Sequence, residues 1–267
     1  MKIKSNLHTH TLLSDGNNPV ERMIEVARDL GFVSLGISDH SPIEEFEKGI
    51  GSGADAEEKY AAAVRKAAES AEGKLDVFCG LELDYFSECK RELYDYVIGS
   101  VHLIEHDGIK GPIDWGPEVS AQIKRDFYGG DDVKFAEAYY KLVFEHARRN
   151  VPDIIGHYDL ITLCGQIDET NPRYIETAVG YVSEIMKYCS RFEVNTGGMS
   201  RGHYRPYPAR PILEEILRLG GTVIPSSDAH RSAHLAYKFD EVEELLRSVG
   251  FKTVDRLTKD GFVADPI

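Results

Sequence analysis

Cysteine is scarce in this chain, long apolar runs are absent and positive charge is in deficit, and each shortage removes a class of protein. The four cysteines, Cys79, Cys89, Cys164 and Cys189, stand far apart with no Cys-x-x-Cys pair. That spacing argues against a disulfide framework and leaves buried free thiols. No run approaches the roughly 18 apolar residues needed to cross a bilayer, and the first six residues lead straight toward His8 without the apolar core of a secretory signal. A soluble, cytoplasmic protein with no membrane partner is therefore expected. The formal net charge of −14 repels a phosphate backbone, so no nucleic-acid partner is expected either. Any small anionic substrate would need positive charge supplied locally.

Low-complexity linkers and internal repeats are also missing, and a 42% hydrophobic share across 267 residues supports a sizeable core, so one domain over 1–267 is expected. Short β-rich runs at 2–8, 33–38, 75–83, 96–101, 153–156, 191–195 and 222–226 alternate with helical patterns. The helices are expected over about 20–30, 54–72, 132–149, 171–188, 209–219 and 240–249, the first opening at Asn18-Pro19 and stopping at Gly31. Strand-then-helix alternation predicts an α/β fold with parallel strands and helices outside.

Six of the ten histidines and three carboxylates sit where strands run out: His8, His10, Asp15, His40, Glu82, His102, His157, Asp228 and His230. An open sheet gathers ligands at one switch point, but here they follow nearly every strand, which requires a ring of strand ends. Seven strands in a ring predict a distorted (β/α)7 barrel of the TIM type. His8 and His10 flank Thr9, and residues two apart on a strand face the same side, so both can grip one ion. Asp15 precedes Gly16 and reads equally as a turn former. Glu82 stands between Leu81 and Leu83, which points it toward the barrel axis, where its two oxygens can bridge two ions. Asp84 is either a support for the site or a loop residue. Val97 to His102 and Ile154 to His157 repeat one arrangement, an apolar run, a small residue and then histidine, while Asp228 and His230 close the ring. Imidazole and carboxylate suit zinc, iron and manganese, and a cluster of such ions is chiefly useful for hydrolysing phosphate esters.

Taken in order, Leu7-His8-Thr9-His10, Ser14-Asp15-Gly16, Ser38-Asp39-His40, Gly80-Leu81-Glu82, Gly99-Ser100-Val101-His102, Gly156-His157-Tyr158-Asp159 and Ser227-Asp228-Ala229-His230 resemble the polymerase and histidinol phosphatase (PHP) family over almost the whole chain. The resemblance implies a distorted seven-stranded barrel with up to three divalent ions. It assigns His8, His10, Glu82 and Asp228 to one, Glu82, His102 and His157 to a second, and Asp15, His40 and His230 to a third. Within the family the likeness is to the histidinol-phosphatases of histidine biosynthesis, through Gly111 to Trp115 and through Phe192 to Gly198 followed by Arg201. It implies a phosphomonoesterase acting on L-histidinol phosphate.

The expected mechanism has two ions share a water, lower its pKa toward neutrality and direct the resulting hydroxide in line at phosphorus. Arg201 or Arg205 would fix the phosphate by paired hydrogen bonds, and Asp228, His230 or a water would protonate the leaving alcohol. The ammonium and imidazole of histidinol phosphate call for acceptors, for which Asp114, Glu118 and Asp159 are candidates unless they are solvated loop acids. Outside the ligand frame, His146 is expected on the surface and His203 at the pocket, with His106 and His234 unassigned. Rival readings are a family member acting on a nucleotide, a phosphotyrosine or another ester, an amidohydrolase, and a non-catalytic metal-binding module.

Overall fold

Apolar residues two apart on successive strands face one another across a closed interior, and this pattern organises the chain. In the computed structural model, which describes residues 2–43, 49–51, 53–71, 73 and 75–267, the elements in chain order begin with β1 (Ser5–Asn6), α1 (Val20–Asp29), β2 (Ser34–Ile37), α2 (Ala56–Ala68), β3 (Asp76–Asp84) and β4 (Tyr96–Ser100). A hairpin of β5 (Leu103–His106) and β6 (Ile109–Pro112) precedes α3 (Pro117–Tyr128), α4 (Asp132–Asn150), β7 (Ile154–Ile155) and α5 (Pro172–Ile185). Then come β8 (Arg191–Asn195), the short α6 (Gly197–Ser200), α7 (Arg210–Arg218), β9 (Thr222–Ser226), α8 (Phe239–Val249) and a last hairpin, β10 (Thr253–Thr258) with β11 (Gly261–Pro266). Glu72, the expected end of the second helix, lies outside the described residues.

Seven strands pair in parallel in the order β1-β2-β3-β4-β7-β8-β9, and the expected distorted barrel is what forms. It is nearly closed. The seam between β9 and β1 has no ladder of its own, only a parallel bridge of Thr9 with Ala229, made by His10 N–H to the Ala229 carbonyl (3.0 Å) and Ala229 N–H to the His8 carbonyl (3.3 Å). This weak pairing is why β1 is shorter than the 2–8 expected.

Alternation sorts the core into two layers. Leu7, Phe78, Tyr96, Ile98, Ile154, Ile224 and Leu257 fill the barrel interior, whereas Leu81, Leu83, Val97, Phe192, Val194 and Val223 face the helices. Each helix brings a complementary stripe; in α1 it is Val20, Met23, Ile24 and Ala27, at the three-and-four spacing that makes one face. Asp131 caps α4 by accepting from Val133 N–H and Lys134 N–H, and Asn171 caps α5 ahead of Pro172. The β10–β11 hairpin stops the N-terminal end of the barrel. Leu257 enters the interior, Ser34 Oγ donates to its carbonyl (3.0 Å), and Asp255 receives Arg191 Nε (2.6 Å) and Thr222 Oγ1 (2.8 Å). The strands' C-terminal ends remain for chemistry. Among the described residues no helix is long and apolar enough to cross a membrane.

Candidate metal centre

The C-terminal rim is where each apolar run stops, and all nine expected donors lie there. Phe78, Gly80 and Glu82 share the inner face of β3, so the carboxylate points along the axis with 1% of its surface exposed. Five imidazoles surround it. Oε1 faces His157 Nε2 (2.8 Å) and His102 Nε2 (3.3 Å), while Oε2 faces His40 Nδ1 (2.7 Å), His8 Nε2 (3.2 Å) and His10 Nε2 (3.5 Å). The two oxygens thus address different sets of rings, as a bridging carboxylate must. Asp228 Oδ1 lies 3.1 Å from His10 Nε2 and 3.6 Å from His230 Nδ1, and at the outer edge Asp15 meets His230 Nε2 (3.3 Å), His40 Nε2 (3.7 Å) and His10 Nδ1 (3.8 Å).

Four sets of donor atoms fall within 4.8 Å of one another: His10, Asp15, His40 and His230; His8, His10 and Glu82; His8, His157 and Asp228; and His40, Glu82 and His102. The grouping differs in part from the one the resemblance implied. His10 also joins the Asp15 set, His40 also approaches Glu82, and Asp228 stands with His157 as well as with the first pair. The rings are close enough for one to serve two neighbouring positions, with His10 stacked on His40 at 4.3 Å and on His230 at 4.2 Å.

Carboxylates also stand behind the rings, on the side away from the centre. Glu193, on the inner face of β8, takes His8 Nδ1 at 2.5 Å, and Asp84 takes the His102 backbone N–H (3.0 Å) and approaches its Nδ1 (3.3 Å). Asp39 accepts from Thr11 N–H (2.6 Å), Thr11 Oγ1 (2.7 Å) and Ser14 Oγ (2.5 Å), pinning the loop that carries Asp15. His230 Nδ1 donates to the Asp228 carbonyl (3.0 Å), leaving Nε2 toward Asp15. Asp228 itself has φ of +49°, a left-handed conformation uncommon for a non-glycine residue and frequent at functional sites. Glycine is required opposite: a Cβ on Gly197 would stand 2.7 Å from Asp228 Oδ2.

Burial opposes charge on every one of these groups, yet the carboxylates hold theirs. Burial pushes Glu82 up, but His8, His40 and His102 outweigh it and hold it well below the usual carboxylate range; Asp228 is depressed likewise by His8, His10 and Arg201. His8 is driven down by burial and lifted well above its ordinary value by Glu193, Glu82 and Asp228. Burial, with His230 and His40 beside it, pushes His10 down to about 3. His8 Nε2, both ring nitrogens of His10, Glu82 Oε2 and His157 Nδ1 are buried with no hydrogen bond. Buried polar atoms left this way are costly, and divalent cations are the species that satisfy neutral imidazole lone pairs and carboxylate oxygens together. The donor set fits such ions.

Above the donors a pocket opens, lined by Asp15, His40, His102, Asp114, Trp115 and Arg201 among others. Arg201 Nη2 lies 3.5 Å from Asp228 Oδ2 with its guanidinium partly exposed. Several other expectations need correction. Arg205 is turned away, donating through Nε to Glu169 (2.8 Å) and pairing with Asp159 (2.9 Å), so it forms no wall of the pocket. Asp159, expected near the mouth or as a solvated loop acid, is neither: it is fully buried and accepts from Ala209 N–H (2.9 Å). Glu118 is exposed on α3, in keeping with the alternative of a solvated acid, and His203 stacks on Tyr207 (5.2 Å), both outside the pocket lining. His146, expected on the surface, is buried in α4 with Nε2 donating to the Leu83 carbonyl (2.8 Å). Glu193 was missed as a support, although Phe192-Glu193-Val194 carries the signal that revealed Leu81-Glu82-Leu83.

Fold and site together define a TIM-like barrel with a divalent-cation centre at its C-terminal rim. Residues 6–197 match the PHP domain model, and the chain belongs to that family. Asp228 and His230 lie beyond the matched stretch and join the centre by geometry. The chain is 27% identical over 257 residues to the Deinococcus radiodurans protein named "Probable histidinol-phosphatase", covering 92% of this chain and 94% of that one. Among solved structures, a Listeria monocytogenes protein assigned as a histidinol phosphatase superposes with a TM-score of 0.76 at 21% identity, over 89% of this chain and 99% of that one. The Lactococcus lactis histidinol phosphate phosphatase, solved with zinc, L-histidinol and phosphate, gives a TM-score of 0.69 at 15% identity over 97% and 98%.

Proposed function

We propose that this chain is a metal-dependent phosphomonoesterase that hydrolyses L-histidinol phosphate to L-histidinol and inorganic phosphate, with residues 1–267 acting as one domain. The convergence of six imidazoles and three carboxylates beneath a pocket holding one partly exposed arginine carries the reading. The likeness to relatives named for that activity selects the substrate.

His8, His10, Asp15, His40, Glu82, His102, His157, Asp228 and His230 would hold the cations, three in number, of zinc, iron or manganese. When bound, such ions offset phosphate charge and make water acidic enough to supply a nucleophile near neutral pH. The chain's own contribution is positioning. Arg201 offers its guanidinium to the phosphate oxygens, a geometry suited to paired charge-assisted hydrogen bonds. Asp114 lines the same pocket with Oδ1 free of any hydrogen bond, available to a cationic group of the substrate. Trp115 lines the pocket beside it, and a water, or His230 when it is not holding a cation, would protonate the leaving alcohol.

Phosphate release from L-histidinol phosphate, measured beside a panel of nucleotides, phosphotyrosine and simple phosphomonoesters, tests the proposal. Turnover should be highest on L-histidinol phosphate, vanish on chelation, and be abolished by His157→Ala. Cation-dependent turnover of another ester in preference would retain the chemistry and overturn the substrate.

A further inference from the structure

We propose that Glu193 is a positioning residue for the cation centre: it holds the His8 ring with its proton on Nδ1, so that Nε2 is the atom presented to the cations. The inference rests on the reading that His8 is a ligand and assigns a role to a residue outside the nine.

Glu193 is not itself among the donor sets, and both of its oxygens are engaged by other groups. Oε1 receives His8 Nδ1 (2.5 Å) and Ser226 Oγ; Oε2 receives the His157 backbone N–H (2.6 Å) and Asn195 Nδ2 (2.9 Å). Those partners belong to the ends of β1, β9, β7 and β8, so a single carboxylate spans the seam where β9 and β1 lack a ladder. Its position behind the ring matters for chemistry. In the neutral imidazole that a cation binds, a proton held on Nδ1 leaves Nε2 bare, and Nε2 of His8 is buried, without a hydrogen bond, 3.2 Å from Glu82 Oε2 and 3.8 Å from Asp228 Oδ1.

Chemistry on the Oε2 side shows why a carboxylate is needed. A backbone N–H and an amide Nδ2 can only donate, and Asn195 cannot flip, since its Oδ1 accepts from Gly197 N–H (2.6 Å). In Glu193→Gln the amide oxygen must therefore remain on that side, and the new NH2 must face His8 and Ser226. The serine hydroxyl can turn to accept. The imidazole can accept only by moving its proton to Nε2, which blocks the nitrogen the cations require. Only the Ser226 hydroxyl hydrogen gives up its acceptor in the variant, so the fold should persist while His8 is inverted.

The test uses the full chain, stripped of metal and titrated with Co2+ by calorimetry, with imidazole 15N spectra of the Zn2+-loaded wild type and of metal-free Glu193→Gln. Expected are a loss of about 10- to 100-fold in Co2+ affinity for Glu193→Gln, an unchanged unfolding midpoint of the metal-free chain, a His8 proton on Nδ1 in the loaded wild type and on Nε2 in the variant. Ser226→Ala removes a seam contact without touching His8 and should keep wild-type affinity. Unaltered Co2+ affinity in Glu193→Gln, binding of His8 through Nδ1 in the wild type, or an equal loss in Ser226→Ala would each overturn the proposal. The wild-type spectrum decides it even if Glu193→Gln does not fold. A wild-type chain that takes up no Co2+ overturns the cation reading itself and this one with it, a result distinct from binding that ignores residue 193.

Discussion

Tyr96 fills the barrel just beneath the cation centre, and its two glycine neighbours should respond differently to the same added methyl group. The ring is fully buried between β2 and β3, and its hydroxyl donates to the carbonyl of Leu7, the residue before His8. A Cβ on Gly36 would stand 1.9 Å from Tyr96 Oη and 2.7 Å from Cζ, whereas on Gly80 it would stand 2.2 Å from Cζ and 2.6 Å from Cε1. Either alanine overpacks a rigid interior, at about 1–3 kcal/mol, and by shifting the ring breaks the Leu7 bond, for about 1–3 kcal/mol more. Gly36→Ala and Gly80→Ala should thus each cost about 2–6 kcal/mol in urea unfolding of the metal-free chain. Tyr96→Phe alone should cost about 1–2 kcal/mol. The two pairs then separate. With the hydroxyl gone, Gly36→Ala loses its worst contact, so Tyr96→Phe should relieve it by about 1 kcal/mol or more, a coupling of the size double-mutant cycles resolve. Gly80→Ala meets ring carbon first, at 2.2 Å, with the hydroxyl at 2.6 Å, and should gain less relief. Equal rescue of both, or no destabilisation by either alanine, would refute this account of how the interior is filled.

Arg201 and Arg205 lie four residues apart and should fail in opposite assays. Arg201→Ala should lower kcat/KM for a phosphomonoester by about 10- to 100-fold, the worth of a charge-assisted phosphate contact, with little change in unfolding. Arg205→Ala strands Asp159 and Glu169 and should cost about 3–5 kcal/mol of stability while folded enzyme keeps its kcat/KM; a reversal of the two outcomes would exchange their roles. Burial pushes the Cys79 thiol up to about 12 and Cys89 and Cys189 up to about 11. Because the unfolded thiols titrate near about 8.5, their share of stability is complete below that pH and is lost as pH rises toward 11 and 12. The urea midpoint should therefore fall above pH 9, less steeply in Cys79→Ala, and thiol reagents at pH 8 should reach the buried Cys79 only as the chain unfolds; a rising midpoint or prompt labelling of Cys79 would contradict it.

Strands were legible where an apolar run ended on a polar residue, because that is the point at which a barrel strand leaves its core for the rim. β3, β4, β8 and β9 fall within a residue of the expected bounds for this reason. β1 contracts because it borders the unladdered seam. Both hairpins escaped notice although each turns on an Asp-Gly pair, Asp107-Gly108 with φ of +49° and +79°, and Asp260-Gly261 with glycine at +105°. Such pairs are a strong short-range hairpin signal, but the flanking residues are too polar to read as strands on their own. α3 went unread because its buried face amounts to Ser120 and Ile123, too little for a helical period to emerge.

The nine donors were legible for the same reason as the strands, and the supporting groups were not, because the two share one local pattern. Leu81-Glu82-Leu83 and Phe192-Glu193-Val194 each place a glutamate between two apolar residues on the inner face of a strand, and that alternation does not tell them apart. What separates them is which neighbours arrive from other strands. The carboxylate of Glu82 is ringed by five imidazole nitrogens, whereas Glu193 meets a serine hydroxyl, an asparagine amide and a backbone N–H beside its one ring. Obligate donors of that kind saturate a carboxylate and leave it nothing to offer a cation. The rule extends to Arg201 and Arg205: Arg205 meets two carboxylates and a threonine hydroxyl in its own loop layer, while Arg201 has one long contact to Asp228 and keeps donors free for a phosphate. In a barrel rim of this kind, the residues that do chemistry are those the fold has left incompletely satisfied.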